Sequence, residues 1–249
     1  MIPKVIHYCW FGQTPLPKSA QKCIASWRKF FPDYEIREWN EDNFDVNAIP
    51  YTSQAYKAKK YAFVSDYARF WILYNHGGLY FDTDVEVIKP MDDIIARGPF
   101  MGREAGARLS TMFPDGPQGL AVAPGLGMGA EAGMPLFKQY LDMYSSVSFF
   151  NEDGTMNTRT IVYYTSEVLL RCGLSGNDSE PEQVAGVWIY PHDWFCPMDH
   201  TRGNLLRITE NTRSIHHYDA SWTGYSAFHK ALGKIKKIIV RLYYSIRSK

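Results

Sequence analysis

Apolar and polar positions along the chain change period at well-marked points. Residues 4–10 (Lys-Val-Ile-His-Tyr-Cys-Trp) are a nearly unbroken apolar run, read as a buried strand ended by Phe11-Gly12 and the loop carrying Pro15 and Pro17. Over 18–30 the period becomes helical, with Ala20, Cys23, Ile24, Trp27 and Phe30 on one face. Pro32-Asp33 breaks that helix, and 34–39 alternates as a second strand. Strand, helix, strand at this spacing is a βαβ unit, which implies a parallel sheet covered by helices. A long amphipathic helix is predicted over 54–75, through Ala58, Tyr61, Ala62, Ser65, Ala68, Arg69, Ile72 and Leu73, stopping at His76-Gly77-Gly78. Leu79-Tyr80-Phe81 then reads as a short buried strand running straight into Asp82-Thr83-Asp84, with a strand continuing over 85–88 before Pro90.

Beyond residue 98 the pattern loosens. Glycine and proline are dense from 98 to 135, and Gly125-Leu126-Gly127-Met128-Gly129-Ala130 reads as a flexible loop near an acceptor, since no clear strand precedes it. Helices are expected over 135–144 and 160–172, and strands near 184–190 and 212–217. The expectation is one α/β domain over 1–229, its second half built from loops and insertions. Residues 230–249 follow as a basic helix with Ile235, Ile238, Ile239, Leu242, Tyr243 and Ile246 at helical spacing.

Composition adds limits. With 249 residues, 45% hydrophobic and 21% charged, the chain is globular and sized for one core. Its 17 Tyr and 7 Trp suit stacking on sugar faces, but aromatic rings fill cores too. The net charge of +1 conceals an asymmetry: after Asp219 there are no acidic residues, whereas residues 230–249 hold seven basic ones. Residues 1–229 therefore carry 20 basic against 26 acidic side chains, a net of −6, and nucleic acid is not the implied partner. The basic tail either lies on an anionic membrane surface or packs its apolar face on the domain. Four scattered cysteines form no CxxC pair, which points to a reducing, cytoplasmic setting. Neither a signal peptide nor a spanning helix is expected from the sequence.

The chemistry concentrates in Gly77-Gly78-Leu79-Tyr80-Phe81-Asp82-Thr83-Asp84. Carboxylates two apart on an extended chain point to opposite faces, but where the backbone turns at a strand end both can converge on one cation. Hard oxygen ligands suit Mn²⁺ or Mg²⁺. In open α/β sheets ligands bind beyond the carboxyl ends of strands, where this segment sits. Asp66 and Arg69 lie three apart on one helix, hence on one face.

These residues carry a resemblance. Ser65-Asp66-Tyr67-Ala68-Arg69 through Gly77-Gly78-x-Tyr80-x-Asp82-x-Asp84, the opening Ile2-Pro3-Lys4-Val5-Ile6-His7-x-x-Trp10 and the late Ile215-His216-His217-x-x-x-Ser221-Trp222 resemble glycosyltransferase family 32. That family of Asp-x-Asp sugar transferases includes yeast mannosyltransferases and bacterial capsule and lipopolysaccharide enzymes. The resemblance implies a GT-A fold, a single domain with a mixed, mostly parallel central sheet flanked by helices. It implies transfer of a hexose-type sugar from a nucleotide-sugar donor, a UDP-sugar favoured over a GDP-sugar, with retention of configuration. The implied acceptor is a saccharide or lipid-linked saccharide of surface polysaccharide synthesis, at the inner face of the membrane.

By the same resemblance Asp82 contacts the donor's ribose and sugar, Asp84 binds the metal directly, and Asp66 and Arg69 hold the donor sugar. Trp10 stands where the nucleotide base stacks, with a place in the core as its other reading. His216 is preferred to His217 as third metal ligand, and Ser221 and Trp222 resemble the loop that closes on the diphosphate. Thr165 and Ser166 match a sugar-pocket region faintly. His7 reads as a satisfied strand histidine. Two rivals remain open: a phosphotransferase with Asp82 as nucleophile, and a non-catalytic sugar-binding domain. An EF-hand on Asp82, Asp84 and Glu86 is disfavoured by Val87 where glycine is needed.

Overall fold

The structure is a computed structural model that describes residues 1–112, 118–199, 204–205 and 207–219. Strand β1 (Val5–Cys9) is buried along its whole length, as its apolar run demands. It pairs in parallel with β2 (Glu35–Trp39) on one side and β3 (Gly78–Tyr80) on the other. Helix α1 (Lys18–Phe30) joins β1 to β2, burying Ala20, Cys23, Ile24 and Trp27. The predicted βαβ unit is therefore present, with the helix bounds as expected.

The expected helix over 54–75 is two helices, α2 (Pro50–Lys57) and α3 (Tyr61–His76). Lys59 adopts a left-handed φ of 57°, and Lys60 N–H and Lys59 N–H donate back to the carbonyls of Ala55 and Tyr56. This pair of bonds is a Schellman stop, with lysine where glycine is usual. Apolar spacing runs across the break, which is why the pattern read as continuous. At the far end of α3, Gly78 has φ +100°, and a Cβ there would stand 2.7 Å from the Val5 carbonyl oxygen. Only glycine lets β3 enter the sheet so close to β1.

After β3 the chain turns at Asp82-Thr83-Asp84, where Val85 N–H donates to the Asp82 carbonyl. It leaves as β4 (Val85–Val87), outside the main sheet. Helix α4 (Asp92–Arg97) leads to β5 (Phe100–Arg108), followed by α5 (Leu109–Met112), β6 (Leu120–Val122), a 3-10 turn (Pro124–Leu126) and β7 (Met128–Ala130). Helices α6 (Pro135–Tyr144) and α7 (Ile161–Arg171) precede the hairpin β8 (Glu182–Val184) and β9 (Val187–Tyr190). Helix α8 (His192–Phe195), β10 (Met198–Asp199), β11 (Asn204–Leu205) and β12 (Ser214–His216) complete the described elements.

The main sheet has the order β2-β1-β3-β7-β5-β9-β8, with β6 on β5. Strands β2, β1, β3, β5 and β9 run one way, and β7, β8 and β6 the other, so the sheet is mixed and mostly parallel. Apolar residues fill two large clusters and a small third one around Leu109 and Ala121. One large cluster joins α2, α3, α6 and α7; the other lies under α1 and reaches Phe81, Phe100 and Phe195.

The glycine-rich segment corrects the sequence reading. Residues 121–130 are buried, and β7 fills the centre of the sheet between β3 and β5. Small residues are needed because Phe100 packs on Gly129, where a Cβ would stand 2.5 Å from its ring. The segment is an inner strand, not a flexible loop.

Candidate active site

The turn after β3 is where the side chains converge. Asp82 keeps 28% of its side chain exposed. Its Oδ1 accepts a hydrogen bond from the Tyr80 hydroxyl at 3.1 Å and its Oδ2 one from Arg69 Nη1 at 3.3 Å. Its backbone N–H donates to the Gly125 carbonyl at 3.2 Å. Gly125 presses on the carboxylate so closely that a Cβ would sit 2.0 Å from Oδ2. The former "loop" is thus the wall behind Asp82.

Arg69 and Asp66 are buried at 5% and 8% side-chain exposure, which excludes a surface ion pair on a helix. Arg69 Nη2 reaches Asp66 Oδ1 at 3.2 Å, Nε donates to the Ser65 carbonyl, and the guanidinium lies 5.0 Å over the Tyr80 ring. One arginine therefore bridges two carboxylates, as its planar fork allows. Burial works against its charge, yet Asp82, with Tyr80 and Asp66, holds its pKa above the ordinary value. Asp66 is pushed up to about 6, chiefly by burial and against the pull of Arg69. Its Oδ2 accepts the backbone N–H of Ile161, the first residue of α7. Asp66 thus ties α3 to a helix N-terminus and carries Arg69, while Arg69 carries Asp82.

Asp84 faces another set of partners. Strand β12 lies antiparallel to β4 with His216 opposite Val85, so the late histidine arrives beside the turn. His216 Nε2 lies 2.9 Å from Asp84 Oδ1, and Asp219 N–H donates to Oδ2 at 2.9 Å. Burial opposes ionisation of Asp84, but His216 and the backbone N–H groups hold its carboxyl well below the usual range. His216 is likewise pushed down by burial, and Asp84 together with the charges of Asp82 and Glu104 raises it on balance. His217 points elsewhere: its Nε2 is 2.8 Å from Glu86 Oε2.

The two aspartates therefore do not share partners. Asp84 and His216 form one pair, Asp82 and Arg69 another, and Asp82 is near enough for its charge to act on His216. Among the described residues no three His, Cys, Asp or Glu side chains form a ready-made cation cage. A carboxylate beside an imidazole nitrogen, both mostly buried, nevertheless fits Mn²⁺ or Mg²⁺. Such ions take one or two protein ligands and complete their shell with substrate phosphates and water. His216 Nδ1 is buried without a partner among the described residues.

Trp10 follows the end of β1, at the same edge of the sheet as Asp82. It is half-buried, its Nε1 donates to the Thr14 carbonyl at 2.6 Å, and its ring packs partly on the core under α1. His7 is wholly buried, accepting from Trp39 Nε1 and donating to the Gly77 carbonyl. Burial lowers its pKa to about 4, so it is a neutral structural histidine. Thr165 and Ser166 are fully buried on α7. Ser166 accepts from Val122 N–H and donates to the Val162 carbonyl, which makes it a clip between α7 and β6 and not a lining residue. Ser221, Trp222 and residues 230–249 lie outside the described residues. Among the described residues no helix is long and apolar enough to cross a membrane.

Three neighbours went unnoticed in the sequence. Gly125 sat in a stretch read as loop. Glu104, the sole acid of β5 and next to Arg103, is 6% exposed and accepts from the Tyr218 hydroxyl at 2.8 Å. Tyr218, directly after the tandem histidines, lies with its ring 4.2 Å from that of His216.

Comparison with known proteins places this geometry. Inositol phosphoceramide mannosyltransferase 1 of Schizosaccharomyces pombe is 29% identical over 111 residues, covering 40% of this chain and 33% of the relative. Inositol phosphoceramide mannosyltransferase 3 of the same organism is 27% identical over 237 residues, covering 93% and 60%. The chain thus spans a third to three fifths of the length of these relatives. Among solved structures, a glycosyltransferase involved in the glycosylation of the major capsid of PBCV-1 matches with a TM-score of 0.52 at 10% identity. That match covers 94% of this chain and all of the other, and the shared architecture is the GT-A fold. Residues 17–101, which hold Asp66, Arg69, Asp82 and Asp84, match the glycosyltransferase sugar-binding region containing DXD motif. Over that region the chain is similar to the DXD glycosyltransferases.

Proposed function

We propose that this protein is a retaining, metal-dependent glycosyltransferase that moves a hexose-type sugar from a nucleotide-sugar donor to a saccharide or lipid-linked acceptor. The observation that carries the reading is the Asp84–His216 pair at the exit of β3, set beside the buried Asp66–Arg69–Asp82 relay. The relatives' names supply mannose as a transferred sugar and inositol phosphoceramide as an acceptor, which favours a lipid-linked acceptor here.

In this reading Asp84 and His216 would hold Mn²⁺ or Mg²⁺ where the donor diphosphate binds. When bound, the ion acts as a Lewis acid on the negative charge that grows on the leaving phosphate. His216 serves only as a neutral imidazole, so its proton must leave before the site is loaded. Asp82, part-exposed, accepts hydrogen bonds from hydroxyls of the donor's ribose and sugar. Arg69 fixes the Asp82 carboxylate from behind, and Asp66 fixes Arg69. Such preset geometry lowers the entropy cost of aligning donor and acceptor. No side chain stands out as a nucleophile, so retention is assigned to attack from the face the diphosphate leaves. Trp10 offers a part-exposed ring to the base, and Ser221 and Trp222 are assigned to diphosphate binding by the family resemblance.

A panel of UDP- and GDP-sugars with Mn²⁺, read as release of the nucleoside diphosphate, tests the reading. Release above background from at least one donor is expected, and none from any donor overturns it. An acid-labile phosphoenzyme at Asp82 would instead establish the phosphotransferase. The basic sequence 230–249 supports a peripheral contact at the inner face of the membrane. Sedimentation with anionic vesicles, with and without residues 233–249, tests that contact, and equal binding removes it.

A further inference from the structure

His216 has two ring nitrogens, and only one of them faces Asp84. In a neutral imidazole the single ring proton resides on either nitrogen. With Asp84 as the sole neighbouring carboxylate, the proton would settle on Nε2, where it donates to Oδ1 across 2.9 Å. That tautomer is useless as a ligand, because the lone pair then lies on Nδ1. A histidine that binds a metal ordinarily has a second acceptor behind its other nitrogen, which holds the proton there.

Glu104 is joined to the ring through Tyr218, and its charge reaches His216. It lies on β5, is 6% exposed, and gives one oxygen to the Tyr218 hydroxyl at 2.8 Å. The other oxygen, Oε2, is buried with no hydrogen-bond partner among the described residues, and so is His216 Nδ1. Tyr218 links the two: its ring meets the imidazole edge-on at 4.2 Å and 71°, and its backbone takes a left-handed φ of 48°. A tyrosine in that conformation is held there by its surroundings. Cys196 Sγ, 3.3 Å from the same hydroxyl, and Glu104 are two of the groups that hold it. Two complementary buried atoms, a carboxylate oxygen and an imidazole nitrogen, thus lack partners among the described residues around one pinned ring.

We propose that Glu104 is a positioning residue for His216: its carboxylate keeps the ring proton on Nδ1 and, through Tyr218, fixes the ring plane, leaving the Nε2 lone pair for a divalent cation shared with Asp84. The inference rests on the metal-dependent reading above, but its test separates the two. The negative charge of Glu104 acts on His216 in the expected sense.

The full chain, labelled with ¹⁵N-histidine and free of metal, reports the His216 tautomer in long-range ¹H–¹⁵N spectra at a pH where the imidazole is neutral. Mn²⁺ affinity is read in parallel from the electron paramagnetic resonance of the free ion. The wild type shows the proton on Nδ1. Glu104→Gln preserves an acceptor for Tyr218 yet removes the charge; it moves the proton toward Nε2 and weakens Mn²⁺ binding about 10- to 100-fold. Glu104→Asp restores the charge and recovers most of both. Unchanged tautomer and unchanged Mn²⁺ affinity in Glu104→Gln overturn the inference. A wild type that binds no Mn²⁺ sinks the metal-dependent reading, while the metal-free tautomer comparison still decides the role of Glu104. Should Glu104→Gln fail to fold, Tyr218→Phe severs the same link; weaker Mn²⁺ binding is expected, and wild-type affinity overturns the proposal.

Discussion

Replacing Gly125 by alanine displaces one carboxylate and little else. Gly125 lies in the 3-10 turn after β6 with no left-handed φ, so alanine takes its backbone conformation without strain. The added Cβ would stand 2.0 Å from Asp82 Oδ2 and 3.1 Å from Arg69 Nη1, whereas ordinary contact begins at 3.4 Å. The Asp82 carboxylate must therefore retreat by about 1.4 Å, the difference between those distances. Because Asp82 is 28% exposed, it has room to rotate toward solvent, away from Arg69. Overpacking of this kind costs about 1 kcal/mol, which lowers the melting temperature of a chain this size by about 2–4 °C. A shift near 1 Å at a reacting group costs on the order of 100-fold in rate, about 2.7 kcal/mol of barrier. Mn²⁺-dependent nucleoside diphosphate release, measured beside a thermal melt, separates the two effects. Gly176→Ala is the control, since nothing lies within 4 Å of its Cβ. A Gly125→Ala protein with activity within twofold of wild type would refute the claim that the Asp82 position matters to the reaction.

Arg69→Met strands two carboxylates that share one buried partner, and equilibrium urea unfolding should show a loss of about 3–5 kcal/mol; a loss under 1 kcal/mol would mean that the relay is dispensable. The Asp84–His216 pair gives a pH dependence of fixed sign. The folded pKa of His216 is raised above 6.5, so the pair's contribution to metal-free stability is complete below that value and is lost as pH rises through the raised one. Mn²⁺ affinity rises over the same window as the imidazole is freed, and melts and Mn²⁺ titrations from about pH 6 to 9 should cross in opposite directions.

The first ninety residues were largely legible because their periods are local. The β1 run, the α1 face and the turn at Asp82 each follow from a few adjacent residues. The second half was not, because its strands are defined by neighbours distant in sequence. β7 is Met-Gly-Ala, with no strand propensity of its own, and it is extended because β3 and β5 bind it on both edges. β5 mixes Arg103 and Glu104 into an inner strand, and the burial of both charges depends on side chains 70 to 115 residues away. The stop between α2 and α3 escaped because lysine stands at the left-handed position where glycine would have announced it. The motif itself told more than the geometry it implied. The Asp-x-Asp spacing predicts one converging pair, whereas the turn sends the two aspartates to different partners, Arg69 and His216.

The central claim is that Asp84, with His216, grips a divalent ion against a nucleoside diphosphate. Calorimetric titration of UDP and of GDP into the full chain, with and without Mn²⁺, tests it most directly when repeated on Asp84→Asn. The account predicts that one nucleotide binds the wild type far more tightly with Mn²⁺ present and that Asp84→Asn loses this difference. Equal affinity with and without the metal in both proteins would contradict it.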